Sequence, residues 1–204
     1  MTRRAILDAL AQEIAESGVG FSIQDVANRA GVTHRTVYNH FPTRQALNDA
    51  FAVHVEEALA ARGLGAPPDH EMDLAKLGTL AEETFHLFAR HEAHIRAYVL
   101  LMMASRAPAK VATDRTRRFA ELLEKEMRSV TPESARLIAV ALRMFISSTG
   151  FHVLTEHFRL STAEAAAVSG WVTRTLLAAA KAGKTPRVVR GEDRGGGDDR
   201  NHRG

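Results

Sequence analysis

The chain has 204 residues, 45% of them apolar and 25% charged, with 27 Lys and Arg against 24 Asp and Glu and a net charge of +3. These proportions suit one globular domain, or a small module joined to a larger one. No cysteine is present, which excludes a disulfide framework, a thiolate metal site and a cysteine nucleophile. The net charge says little about partners, because two of the three excess positive charges lie in the tail from Gly183 onward.

The first stretch, MTRRAILDALAQEIAES, is interrupted by Asp8, Glu13 and Glu16 and so lacks the apolar heart of a signal peptide. No run approaches the roughly 18 apolar residues of a membrane span. The expectation is a soluble, cytoplasmic protein with no membrane association. Ile6, Leu7, Leu10 and Ile14 share one face of a helix over 3–17, which Gly18 stops. Ser22 caps a second helix, with Asp25 in capping-box position and Ile23, Val26, Ala27 and Ala30 as a buried stripe. Gly31 supplies a sharp turn, and Thr33 caps a very short third helix ending near Phe41-Pro42. Thr43 caps a fourth, whose stripe is Leu47, Ala50, Phe51, Val55, Ala58 and Leu59.

The segment GLGAPPDH (63–70) reads as a linker. Helices are expected beyond it over 71–90, 91–105 and 108–129, then a long apolar one opened by Thr131-Pro132 and running past Leu154. A Ser161–Glu164 capping box opens the last, to about Ala182. The reading is all-α with about nine helices: a module over 1–62, a larger one over 63–182, and a glycine-rich, charged, disordered tail over 183–204.

The segment GVTHRTVYNHF, Gly31 to Phe41, decides the functional reading. Only Val32, Val37 and Phe41 suit a core, while His34, Arg35, Thr36, Tyr38, Asn39 and His40 crowd the rest of a short helix. A helix, a glycine turn and a second helix with a polar exterior are the layout of a helix-turn-helix, whose second helix enters the DNA major groove. Arg35 suits a bidentate contact to guanine, and His34 and Thr36 suit base edges. Tyr38 and Asn39 offer donors to phosphate, and Arg44 adds charge at a helix start whose free N–H groups attract anions. His40 either reaches phosphate or stacks beneath the fourth helix.

AQEIAESGVGFSIQDVANRAGVTHRTVYNHFPTRQAL resembles the DNA-binding domain of the TetR family of bacterial transcription regulators, through Gly18, Val26-Ala27, Ala30-Gly31-Val32, TVYNHF and Leu47. The resemblance covers about the first quarter of the chain. It implies a homodimer on a palindromic double-stranded operator, with DNA contacts from Thr33, His34, Arg35, Thr36, Tyr38, Asn39, His40 and Arg44. Arg35 stands where the family usually has a small residue, and Arg44 replaces the customary lysine with a planar head.

The resemblance also implies a second module that dimerises and binds a small-molecule effector. Ala166 and Gly170 beside Trp171 would let helices of two subunits approach closely. Ser147-Ser148-Thr149-Gly150 interrupts the most apolar helix, where buried polar groups need partners. These hydroxyls either line a pocket or bond to the carbonyls of the preceding turn and merely bend the helix. An effector pocket is expected from the apolar Phe85, Phe88, Met102, Met103, Phe119 and Phe145 with the polar His86, Tyr98, Arg143, Ser147 and His152. The function expected is a ligand-released repressor. The alternative is a constitutive or partner-regulated DNA-binding protein whose second module only dimerises. His91/His94 and His152/His157 are poorly spaced for one metal, and no nucleophile or cofactor motif appears. No enzyme activity, metal or cofactor is expected.

Overall fold

The computed structural model describes residues 2–61, 73–104 and 110–187. The linker expected at 63–70 and the tail beyond residue 187 lie outside the described residues. Within them every element is helical: α1 (Thr2–Ser17), α2 (Ile23–Arg29), α3 (His34–His40), α4 (Arg44–Ala60), α5 (Leu77–Arg90), α6 (Glu92–Ala104), α7 (Lys110–Glu126), α8 (Pro132–Ile146), α9 (Ser148–His152) and α10 (Thr162–Lys181). No single helix among these residues is long and apolar enough to cross a membrane.

The caps fall where side-chain chemistry puts them. Ser22, Thr33, Thr131 and Ser161 each accept the backbone N–H three residues on, and Glu164 completes a reciprocal box with Ser161. Gly18, Gly31 and Gly183 end helices with positive φ, a conformation costly for any residue with a Cβ. α5 starts at Leu77 rather than near residue 71, because Asp73 to Lys76 form a turn in which Asp73 accepts from the Ala75 N–H.

Among the described residues there are ten helices where about nine are expected, because the long apolar helix breaks at Ser147. Its backbone is extended there (φ −97°, ψ 164°), and its hydroxyl accepts the Gly150 N–H at 3.2 Å to cap α9. The segment after the break is bent by 51° from α8 and continues as a π turn, Val153–His157. A break leaves carbonyls at the end of α8 without helical partners. Ser169 of α10 donates to that of Phe145 at 2.7 Å. The hydroxyl at 147 is therefore an N-cap that accepts from the turn after it, a role different from both of those open to this stretch from sequence.

Two apolar cores organise the chain. One joins Ile6, Leu10, Val26, Val37, Leu47 and Phe51 of the first four helices to Phe85, Phe88, Ile95 and Phe151. The other gathers Leu77, Phe119, Leu123, Ile138, Leu142 and Leu177 from α5, α7, α8 and α10. Complete burial of each such Leu, Ile or Phe contributes about 1.5–3 kcal/mol. α6 lies against α1 and α4, so the first core continues from the first four helices into the second half.

α5 and α10 form the closest helix pair, and glycine is the reason. A Cβ at Gly78 would stand 2.5 Å from Arg174 Cγ, and one at Gly170 would overlap the Glu82 carboxylate. Arg174 and Glu82 lie over these two glycines and pair at 2.8 Å. Gly170 thus serves packing within the chain, which corrects its expected place between subunits. Gly170→Leu should destabilise the monomer by about 1–3 kcal/mol through overpacking. Thermal melts at two protein concentrations check this: the fall should be the same at both, whereas a dimer-specific loss would grow on dilution.

Candidate nucleic-acid interface

α3 is held from behind and bare in front. Val37 and Phe41 are buried, and Val32 is partly buried against the same core. The Val32 N–H donates to the Ala27 carbonyl at 3.0 Å, which sets the turn between α2 and α3. α2 is in turn pinned to α1 by Arg29, which reaches Glu13 at 3.2 Å and grips Glu16 with both terminal nitrogens. Those hydrogen bonds, to Glu16 first, raise the guanidinium pKa and keep it charged.

On the open side, Thr33, His34, Arg35, Tyr38, Asn39 and His40 are all exposed, and Thr36 is half-buried. Tyr38 keeps 42% of its surface in solvent, unusual for a ring amid a packed domain. Its ring lies 4.8 Å from that of His34, one helical turn earlier. Thr33 and Thr36 are tied by a 2.8 Å hydroxyl contact and by the 3.1 Å cap bond to the Thr36 N–H. The cap fixes the start of α3, so the helix presents one edge of five exposed polar side chains on a rigid support. His40 points to solvent, with its ring 6.3 Å from that of Phe41.

Arg44 has a second task. Its guanidinium lies 4.0 Å over the Phe21 ring and donates to the Val19 carbonyl, joining the start of α4 to the α1–α2 connection. Arg3 sits 5.1 Å over the Phe41 ring, while Arg4 lies 3.9 Å from Asp8 of its own helix. Arg3 thus rests on Phe41 at the end of α3, and Arg44 on Phe21 and the Val19 carbonyl at the start of α4.

Residues 6–51 match the family model of bacterial regulatory proteins, tetR family. Over this segment the chain is similar to the tetR family of bacterial regulatory proteins. The described residues share their fold with solved structures assigned to that family. A structure from Rhodococcus sp., assigned to the TetR-family transcriptional regulators, superposes with a TM-score of 0.70 at 19% identity, covering 86% of this chain and 98% of its own. A TetR-like transcriptional regulator from Rhodococcus sp. RHA1 gives 0.61 at 19% identity, with 87% and 96% covered. NalD, the secondary repressor of the MexAB-OprM multidrug efflux pump in Pseudomonas aeruginosa, gives 0.57 at 24% identity, with 91% and 97% covered. Comparison with curated protein sequences gives no match. The matched family consists of regulators rather than enzymes.

In the second half of this TetR-type fold the residues expected to line an effector pocket separate. Phe85 and Phe88 pack with Phe151, ring centroids 5.4 and 5.8 Å from it, as interior of the first core. Phe119 belongs to the second core. His86 and Met103 face solvent. Tyr98 turns toward the DNA-binding side, donating to Glu56 of α4 at 3.0 Å. Ser147 is the cap described above. Met102, Arg143, Phe145 and His152 remain half-buried.

A polar group that sequence reasoning passed over lies beside them. Arg96 of α6 donates to Glu156 of the π turn at 3.3 Å, while its Nε is buried without a hydrogen-bond partner. His152 is close enough to feel both charges. Burial lowers its pKa below the usual 6.5; Glu156 opposes the shift and Arg96 adds to it. The only sequence signal was an Arg and a Glu 60 positions apart, which no periodicity links.

The sign of the His152 shift gives a prediction. The folded chain favours the neutral ring, so the unfolded chain takes up a proton first as pH falls through 6.5. Stability should decline from there until the folded-state pKa is passed. Urea denaturation at pH 7.5 and pH 5 should show a smaller difference in His152→Gln than in the unchanged protein.

Proposed function

We propose that the protein is a dimeric transcriptional repressor that binds a palindromic operator through α3 and is released by a small-molecule effector. The observation that carries the DNA-binding half is the row of exposed polar side chains on α3, capped at Thr33 and anchored by Val37. Arg35 reads a base, and Arg44 with its neighbours contacts phosphate from a braced position. By analogy, the role of NalD as a repressor favours repression over activation.

Dimerisation is assigned to α8 and α10. Val140 and Met144 on α8 and Trp171 on α10 are apolar yet exposed, Trp171 by 63%. The two helices pack side by side, so two copies of this face would form a four-helix bundle about a two-fold axis. With that symmetry the half-sites fall about 34–36 Å apart, or a multiple. The domain roles follow: residues 1–62 read DNA, and 63–182 dimerise and sense.

The effector is assigned to the region between α6 and the α9–π-turn segment, with the partly paired Arg96 and the neutral-favouring His152 as its polar contacts. Met102, Arg143 and Phe145, half-buried on α6 and α8, are assigned to the same region. A ligand carrying an acceptor for Arg96 Nε fits this arrangement best. Because α6 also touches α1 and α4, a ligand favouring another placement of α6 would shift the DNA-binding helices, and would release DNA only in proportion to that preference.

The test has three readouts. Sedimentation should give a dimer, dissociated by the pair Met144→Glu and Trp171→Arg. Fluorescence anisotropy on a selected operator should then be screened with small organic acids and neutral metabolites for DNA release. Active compounds should lose potency in Arg96→Gln and His152→Gln. Compounds with unchanged potency in both variants would contradict this effector site; a dimer that no compound releases would favour the constitutive reading.

A further inference from the structure

Three helices bring one carboxylate and two imidazoles together where the DNA-binding helices meet α6. Asp8 comes from α1, His54 from α4 and His94 from α6. One oxygen of Asp8, Oδ1, lies 3.3 Å from Nε2 of His54 and 3.1 Å from Nε2 of His94. One ligand atom from each of the three residues lies within 4.8 Å of the others. We propose that Asp8, His54 and His94 bind one divalent transition-metal ion of the zinc and cobalt class, clamping α6 to α1 and α4.

Geometry favours the ion. Metal–nitrogen and metal–oxygen bonds of about 2.0–2.2 Å in a tetrahedral site set neighbouring donors roughly 3.3–3.5 Å apart. The two Asp8–imidazole separations, 3.1 and 3.3 Å, lie at or just under that spacing. The two imidazoles need approach each other by at most about 1.5 Å, within reach of small side-chain rotations. Donor chemistry narrows the ion. Two imidazoles and a carboxylate without thiolate suit Zn²⁺, Co²⁺, Ni²⁺ or Cu²⁺ rather than Mg²⁺, Ca²⁺ or Cu⁺. Three protein ligands leave a fourth position for water, as in open sites.

The surroundings allow loading. The His54 and His94 side chains keep 18% and 27% of their surface, enough for entry from solvent, and Asp8 keeps 45%. The His94 ring is steadied by Phe51, whose ring is nearly parallel at 6.4 Å. The opposing charge is Arg4, whose Nε lies 3.9 Å from the other Asp8 oxygen; its side chain is 76% exposed and free to withdraw. Loading requires the neutral tautomer with its proton on Nδ1, so that the Nε2 lone pair faces the ion; any second ring proton is released to solvent.

The consequence is mechanical. α1 and α4 carry the reading helix and α6 carries the effector contacts assigned above, so an ion bound here favours one placement of the two halves. The site shares no residue with that effector region and stands whether or not that assignment holds.

Titration of the full-length protein with Co²⁺ tests it, using visible absorption bands that report tetrahedral nitrogen–oxygen ligation. The expected result is one saturable equivalent per chain, weakened by about tenfold or more in His54→Gln and in His94→Gln, and unchanged in His91→Gln. Zn²⁺ should raise the melting temperature of the unchanged protein and leave that of both variants where it was. If either variant fails to fold, Asp8→Asn takes its place. No saturable uptake, or uptake equal in the unchanged protein and in both variants, would overturn the proposal, since the ion would then sit on other histidines.

Discussion

Phe85→Ala should cost about 3–5 kcal/mol of folding stability, the range for truncating a fully buried phenylalanine. Phe85 is completely buried. Its ring meets Phe151 edge-on at 5.4 Å and Phe88 at 6.1 Å. Truncation forfeits the transfer free energy of the ring, two aromatic contacts of about 0.5–1.5 kcal/mol each, and leaves a void. The neighbours cannot close it easily, because α5 is held against α10 by the Glu82–Arg174 pair. The core around Phe85 continues through Ile95 to Leu10 and Ile14 of α1. The loss should therefore register in both halves: near-UV and far-UV circular dichroism should report one shared transition at a lower urea midpoint. A separate, unshifted transition for the N-terminal helices would show that the halves are less coupled than this core implies.

Gly150→Val should cost about 3 kcal/mol or more. Replacing glycine by alanine in an ordinary helix interior gains about 1 kcal/mol, so even Gly150→Ala should here have the opposite sign. The reason is local. A Cβ at 150 would overlap the Met144 carbonyl oxygen and stand 3.1 Å from its carbon and 3.4 Å from Phe145 Cα. Backbone atoms cannot rotate aside as a side chain does. α8 and α9 would have to separate, disturbing the Ser147 cap and the Ser169 bond to Phe145. Thermal melts of Gly150→Ala and Gly150→Val should fall in that order below the unchanged protein.

Local chemistry made the N-terminal part of the molecule readable from sequence. Caps at Ser22 and Thr33, the turn at Gly31 and the stripe Val26, Ala27, Val37 all act within a few residues, and each lies where the spacing puts it. The break at Ser147 was half visible. The polar run is plain in the sequence, but the extended backbone that turns Ser147 into the cap of a new helix depends on what packs against it. Gly170 shows the limit of reading small residues as contact sites: the spacing predicts a close approach without naming the partner, which proves to be α5. Arg44 was legible as a cation but not as a stack on Phe21, because the α1–α2 connection that carries Phe21 has no periodicity. The Asp8–His54–His94 cluster was hidden for the same reason. Its members are 46 and 40 positions apart, and only the crossing of three helices brings them together.

The central claim is that the exposed face of α3 reads DNA sequence, with Arg35 as a base-specific contact and Arg44 as a contact to backbone phosphate. Selection of bound duplexes from random DNA, run in parallel on the unchanged protein, Arg35→Ala and Arg44→Ala, tests it most directly. The unchanged protein should enrich a palindrome. Arg35→Ala should lose preference at one position in each half-site, at a cost of about 1–3 kcal/mol on the original operator. Arg44→Ala should keep the same palindrome while binding all duplexes more weakly, with the salt slope reduced by about 1. A palindrome unchanged in Arg35→Ala, with affinity lost equally for every sequence, would contradict the assignment of sequence reading to that face of α3.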